Sequence, residues 1–170
     1  KDTLYCDSVE SEKRKSSIIV LNLLLSTLLR WFAPILSFTA EEIYQLISKK
    51  NKSIHLENFL DFPEKFENKE LETKWAELIK LRDVCNISIE EKRANKEIGS
   101  SLEAELKIKI NNKYKKILSN IDLSELCIVS KNEIIFDESS DILVETKKAV
   151  GNKCPVCWKI SVEPCKRHPQ

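Results

Sequence analysis

Apolar residues recur at three- and four-residue steps from about Val9 to Phe32, placing Leu21, Leu24, Leu25, Leu28 and Phe32 on one face. That is the period of an amphipathic helix. Ile18, Ile19 and Val20 widen the face, which predicts burial on more than one side. Pro34 is expected to stop the helix, because proline lacks a backbone donor and clashes with the preceding turn. Thr39-Ala40-Glu41-Glu42 then reads as a capping box, with Phe38 and Ile43 at the staple positions, opening a helix that runs to about Ser48. Residues 49–66 are irregular, and Phe59, Phe62 and Phe66 are expected to anchor this loop on the helices. A long helix is predicted from about Lys69 to Ile98, with Leu71, Trp75, Leu78, Leu81, Val84 and Cys85 as its buried stripe and Gly99 as its C-cap. Its weakest stretch by helix propensity is Asn86-Ile87-Ser88-Ile89.

The period then changes from helical to alternating. Leu102, Ala104, Leu106, Ile108 and Ile110 alternate with Glu103, Glu105, Lys107 and Lys109, the pattern of a half-buried strand. Asn111-Asn112 turns the chain into a short helix around Tyr114, Ile117 and Leu118, and Asp122 with Glu125 forms a second capping box. Leu126–Val129 and Ile142–Thr146 read as strands, with Ile134–Phe136 between them. The fold class is α+β, mainly α. A helical bundle over residues 1–99 is followed by a small α+β unit over 100–149 and a cysteine-rich knuckle over 150–170.

Composition narrows the function. The chain has 170 residues, no methionine, and Lys1 at its start, so it is expected to be cut from a longer protein. Hydrophobic residues make up 42%, enough for a packed core, and charged residues 32%, enough for a well-solvated surface. Gly99 and Gly151 are the two glycines, which excludes glycine-rich phosphate loops. Uninterrupted apolar runs fall short of the ~20 residues that span a membrane. The net charge of +1 conceals an asymmetry: Lys147, Lys148, Lys153, Lys159, Lys166 and Arg167 against Glu163 make the end of the chain basic, on a slightly acidic body. A basic end points to an anionic partner or to simple solvation.

Cys6, Cys85 and Cys127 are scattered and read as packed thiols. Cys154, Cys157, Cys165 and His168 instead form C-x2-C-x7-C-x2-H. Two ligand pairs of equal internal spacing complete a closed tetrahedral set, as one structural zinc ion requires. A closed set leaves no position to activate water, and with almost no core of its own the knuckle would fold on the metal. Lys153, Lys159, Lys166 and Arg167 offset the net negative charge of three thiolates around Zn2+. Trp158 follows the second cysteine, where it either packs beneath the knuckle or stacks on an unpaired base. Lys92, Arg93 and Lys96 form a further basic patch, either solvated or in contact with phosphates. His55 and the serines Ser100 and Ser101 lack partners for catalysis, and no catalytic residue is expected.

Arg30-Trp31-Phe32-Ala33-Pro34-Ile35-Leu36-Ser37-Phe38-Thr39-Ala40-Glu41-Glu42-Ile43 resembles the helix junction in the anticodon-binding domain of class I tRNA synthetases for branched aliphatic amino acids. Leu81-Arg82-Asp83-Val84 and Ile98-Gly99-Ser100-Ser101-Leu102-Glu103-Ala104 narrow the resemblance to isoleucyl-tRNA synthetases. Lys153-Cys154-Pro155-Val156-Cys157-Trp158 is similar to the C-terminal zinc knuckle of the bacterial form, and Leu4-Tyr5-Cys6-Asp7 also fits. The resemblance implies an anticodon-binding type of bundle and a cytoplasmic, monomeric ligase that joins isoleucine to its tRNA in protein biosynthesis. ATP and Mg2+ would act only in a catalytic domain outside this sequence. The editing domain, needed because one methylene discriminates weakly between amino acids, is likewise outside it. The fragment alone is expected to be inactive and to supply tRNA recognition, through Trp158, Lys159, Lys166 and Arg167, with Lys92, Arg93 and Lys96 as secondary contacts. The family has four cysteines; here His168 takes the fourth place and the second half is shortened. Two other readings compete: a stand-alone zinc-dependent protein-interaction module, and thiol redox chemistry, which needs an accessible thiol of low pKa.

Overall fold

The computed structural model describes residues 2–48, 52–138, 141–165 and 168. The chain divides into two compact units, Lys1–Glu67 and Asn68–Gln170.

Unit 1 contains α1 (Asp2–Cys6), α2 (Glu12–Phe32) and α3 (Ser37–Ile47), followed by single turns at Ile54–Leu56 and Glu64–Phe66. Ser11 caps α2 by accepting from the Arg14 amide, and α1 precedes it where no helix was predicted. After Phe32 the turn stays tight, with the Leu36 amide donating to the Phe32 carbonyl at 2.7 Å. As a result α3 begins at Ser37 and has no side-chain cap. Thr39 lies inside the first turn, so the expected capping box does not form. Glu41, half-buried, accepts from Gln45 Nε2 (2.7 Å), Ser53 Oγ (2.8 Å) and the Ile54 amide (2.9 Å). These bonds hold its carboxyl below the usual carboxylate range.

The core of unit 1 is small: Leu29, Ala33, Ala40, Tyr44 and Ile54, with Leu25 and Ile43 against it. Arg30 ties α2 to the following loop, donating from Nε to the Asn58 carbonyl at 2.9 Å and pairing with Glu57 at 3.2 Å. Phe59, Phe62 and Phe66 are exposed and do not anchor that loop. Much of the predicted apolar stripe of α2 is exposed too, including Leu21, Leu24, Leu28 and Phe32. By length and composition α2 could cross a membrane, although its uninterrupted apolar runs are short; the core helix of a soluble protein passes the same test.

Unit 2 opens with α4 (Lys69–Ala94), capped by the Asn68 side chain accepting from the Leu71 amide at 2.9 Å. Its buried positions are Leu78, Leu81, Cys85 and Ile89, one stripe at helical spacing. Leu71 and Trp75, expected in that stripe, are exposed. Asn86–Ile89 is helical despite its poor propensity, because Cys85 and Ile89 are buried in the core. Gly99 does not cap α4: the helix ends at Asn95, and Lys96 takes the left-handed conformation (φ 58°).

The sheet has order β2-β1-β3, built from β1 (Ala104–Asn111), β2 (Lys131–Asp137) and β3 (Leu143–Lys148). β1 pairs parallel with β2 and antiparallel with β3. Two short helices, α5 (Tyr114–Ile117) and α6 (Leu123–Leu126), make the crossover from β1 to β2. Residues 126–129, read as a strand, instead end α6 and form a turn through Ile128 (φ 57°). Asp122 caps α6 as expected, though its side chain accepts from the Ser124 amide. Ala104, Leu106, Ile108 and Ile110 alternate on the buried face of β1 and join the α4 stripe in one core. Ser88 strengthens that junction, its hydroxyl 2.7 Å from Thr146 Oγ1 on β3. This shared core places α4 in the same compact unit as the sheet. The hairpin of β4 (Asn152–Lys153) and β5 (Ile160–Ser161) completes the unit.

Candidate functional site

The hairpin β4–β5 brackets the C-x2-C turn. The Cys154 amide donates to the Lys159 carbonyl at 2.9 Å, and the Trp158 amide donates to the Cys154 carbonyl at 3.0 Å. Trp158 adopts φ 64°, unusual for a bulky residue and held here by these bonds. Gly151 enters the hairpin at φ 134°, and a Cβ there would lie 2.2 Å from the Ser161 carbonyl carbon, so glycine is required.

This local frame gathers four donors from distant positions. The ligand atoms of Cys154, Cys157, Cys165 and His168 all lie within 4.8 Å of one another and could hold a metal ion. Cys157 Sγ is 3.8 Å from Cys165 Sγ, far beyond a disulfide bond. His168 Nδ1 is 3.7 Å from Cys154 Sγ and 3.5 Å from Cys165 Sγ. A tetrahedral zinc site with ordinary Zn–S and Zn–N bonds has S···S edges of about 3.8 Å and S···N edges of about 3.5 Å. The donor set therefore fits zinc in size as well as chemistry. Backbone amides of Cys157 and Val156 bond to the Cys154 thiol and lower its pKa to about 6, toward the thiolate that binds metal. Burial pushes the Cys157 thiol up to about 11.

Around this centre Trp158 is 59% exposed, beside Lys153, whose Nζ is 5.3 Å from the ring centroid. The ring is thus presented to solvent and not packed beneath the knuckle. Lys159 follows it and is half-buried. Lys166 and Arg167 lie outside the described residues. The secondary basic patch is distributed differently from a bare cluster: Lys92 pairs with Glu97 at 2.9 Å, and Arg93 with Glu90 at 2.6 Å, while Lys96 sits in the turn after α4. Cys85 and Cys127 are buried in the core, as packed thiols should be. Sequence reading missed the parts of Gly151 and of the Lys153–Trp158 pair, and it missed Ser130, whose hydroxyl reaches the hairpin at Ile160. Only the glycine carried a signal, as one of two in the chain.

The model of a protein family described as the anticodon-binding domain of tRNA ligase matches residues 1–110. The chain belongs to this family. Over nearly its whole length it is also similar to isoleucine–tRNA ligases. It is 58% identical to that of Pelagibacter ubique over 168 residues, 99% of this chain and 19% of the relative. Identity is 37% to the Agrobacterium fabrum ligase over 174 residues, 96% of this chain and 18% of the relative. Against the Methylacidiphilum infernorum ligase it is 41% over 162 residues, 95% of this chain and 17% of the relative. The chain thus spans under a fifth of the length of these curated relatives. The anticodon-binding family and the similarity to isoleucine–tRNA ligases agree with the resemblance seen in the sequence motifs.

Proposed function

We propose that this chain is the tRNA-recognising region of an isoleucine–tRNA ligase, carrying one structural zinc ion. The observation behind this reading is an exposed Trp158 beside Lys153, fixed to a closed Cys3His donor set. Cys154, Cys157, Cys165 and His168 would hold the zinc, which supplies folding energy and no open catalytic position. With Lys153 over one face of the indole, an unpaired anticodon base stacks on the other. Lys159, Lys166 and Arg167 contribute phosphate contacts, with Lys92, Arg93 and Lys96 as secondary ones. Ligation of isoleucine with ATP and Mg2+ belongs to the complete ligase, a cytoplasmic monomer, and the fragment alone is inactive. No membrane partner is assigned: α2 is punctuated by Asn22, Ser26, Thr27 and Arg30, and Arg30 pairs with Glu57. The similarity to isoleucine–tRNA ligases does not favour a stand-alone protein-interaction module.

A titration of the complete ligase against isoleucine tRNA and an anticodon-altered version tests this. Tighter binding of the isoleucine tRNA, with the difference reduced by Trp158→Ala, is expected. Equal affinity for both RNAs would refute the assignment.

A further inference from the structure

Two short hydrogen bonds meet at a residue outside the metal site. Ser130, immediately before β2, donates its hydroxyl to the Leu102 carbonyl at 2.5 Å and accepts from the Ile160 amide at 2.6 Å. One hydroxyl therefore joins three segments: the turn leading into β1, the start of β2, and β5 of the knuckle hairpin. Its backbone is itself fixed, the Ser130 amide donating to the Ala104 carbonyl at 3.1 Å. The left-handed turn at Ile128 sets this up, because it buries Val129 in the core and leaves Ser130 for the hairpin. On the hairpin, Ile160 pairs with Lys153, and Lys153 lies over the Trp158 ring. The path from Ser130 to the exposed indole thus runs through one amide-to-hydroxyl hydrogen bond, one strand pair and one cation–π contact.

After the chain leaves β3, Gly151 lets the hairpin close, its backbone running against that of Ser161. Beside it, the Ala149 amide donates to the Glu103 carbonyl at 2.8 Å. A metal bound to these four residues would organise them among themselves, while the knuckle's placement on the sheet needs contacts outside the donor set. That placement comes from the Ile160–Ser130 and Ala149–Glu103 hydrogen bonds, with Ser130 itself held to Leu102 and Ala104.

We infer that Ser130 is a positioning residue for tRNA recognition, its hydroxyl setting the knuckle, and with it Trp158, on the β-sheet. The inference rests on the tRNA-reading role proposed above. Removing the hydroxyl leaves the Ile160 amide without its acceptor while the zinc ligands stay intact. Threonine keeps the hydroxyl, whereas Ser130→Cys keeps the side-chain size with weaker bonds and gives a second variant without it.

The test uses the complete ligase with Ser130→Ala, Ser130→Cys, Ser130→Thr, Trp158→Ala and the Ser130→Ala/Trp158→Ala pair. Zinc per chain, hydrogen exchange of the Ile160 amide, and KM and kcat for charging isoleucine tRNA are measured. Ser130→Ala should keep its zinc, exchange the Ile160 amide about tenfold faster, and raise KM for tRNA about tenfold with little change in kcat. Ser130→Cys should shift both in the same direction, and Ser130→Thr should restore them. The double variant should match Trp158→Ala alone, as expected for groups acting in series. Zinc loss in Ser130→Ala, an unchanged Ile160 exchange rate, or an unchanged KM beside a raised KM in Trp158→Ala would each overturn the inference. An unchanged KM in Trp158→Ala has a different meaning: the base-stacking reading itself has failed, and the Ile160 exchange rate still reports whether the clamp exists.

Discussion

The α4–sheet core and the knuckle belong to one compact unit, yet they are held by different forces. The core buries a continuous set of apolar side chains from α4, β1, α5 and α6, among them Leu78, Leu81, Leu106, Ile108 and Val129. Burial of that kind stabilises by roughly 25 cal/mol per Å2 and needs no ligand. In the knuckle, by contrast, the buried side chains are Cys154 and Cys157, while Val156, Trp158 and Val162 are exposed. In place of an apolar core, four side chains able to hold a metal ion converge there. The difference leaves the knuckle's surface side chains without a packing role, which is what the proposed recognition role of Trp158 uses. It also predicts that the two regions fail independently.

Metal removal should separate them most sharply. Structural zinc contributes about 10–16 kcal/mol to folding in comparable small sites. Chelation, or Cys157→Ser, should abolish amide protection of the β4–β5 hairpin and of Cys154 and Trp158 in its turn, while β1 keeps its protection, as read by hydrogen exchange. Loss of protection in β1 as well would merge the two regions into one cooperative unit. A core substitution should do the reverse. Leu106→Ala removes a fully buried side chain from the central strand and should cost about 2–5 kcal/mol in denaturant unfolding, with zinc content unchanged.

A smaller effect tests unit 1, which has neither a large core nor a metal set among its described residues. The Glu41 carboxyl is held below its ordinary pKa by bonds from Gln45, Ser53 and the Ile54 amide. Its contribution is complete above the ordinary carboxyl pKa and is lost as the pH falls through the lowered folded value. Thermal melts of the chain and of Glu41→Gln should therefore converge on acidification from neutral pH to pH 3. A difference independent of pH would show that the charge does not matter.

Legibility in the sequence followed the same division. The alternation in β1 and the stripe Leu78, Leu81, Cys85 were readable, because core burial writes a period into the chain. The ligand spacing was readable because chelation restricts it. Residues 126–129 were misread because an apolar run does not distinguish a strand from a helix end with a left-handed turn at Ile128. The capping box failed because the preceding turn stayed helical and started α3 at Ser37, before Thr39 could act as a cap. Gly99 was misassigned because Lys96 supplies the left-handed residue. The Ser130 bridge had no signal at all: its partners Leu102 and Ile160 are distant in sequence, and one serine has no period.

The central claim is that Trp158, on the knuckle proposed to hold zinc, serves tRNA recognition and not chemistry. The direct measurement is tRNA charging beside ATP–pyrophosphate exchange without tRNA, in the complete ligase and its Trp158→Ala variant. Losing one stacked base should raise KM for tRNA about 5- to 150-fold, from ~1–3 kcal/mol of stacking, while pyrophosphate exchange stays at its normal rate. Equal loss of both activities, or no loss of either, would contradict it.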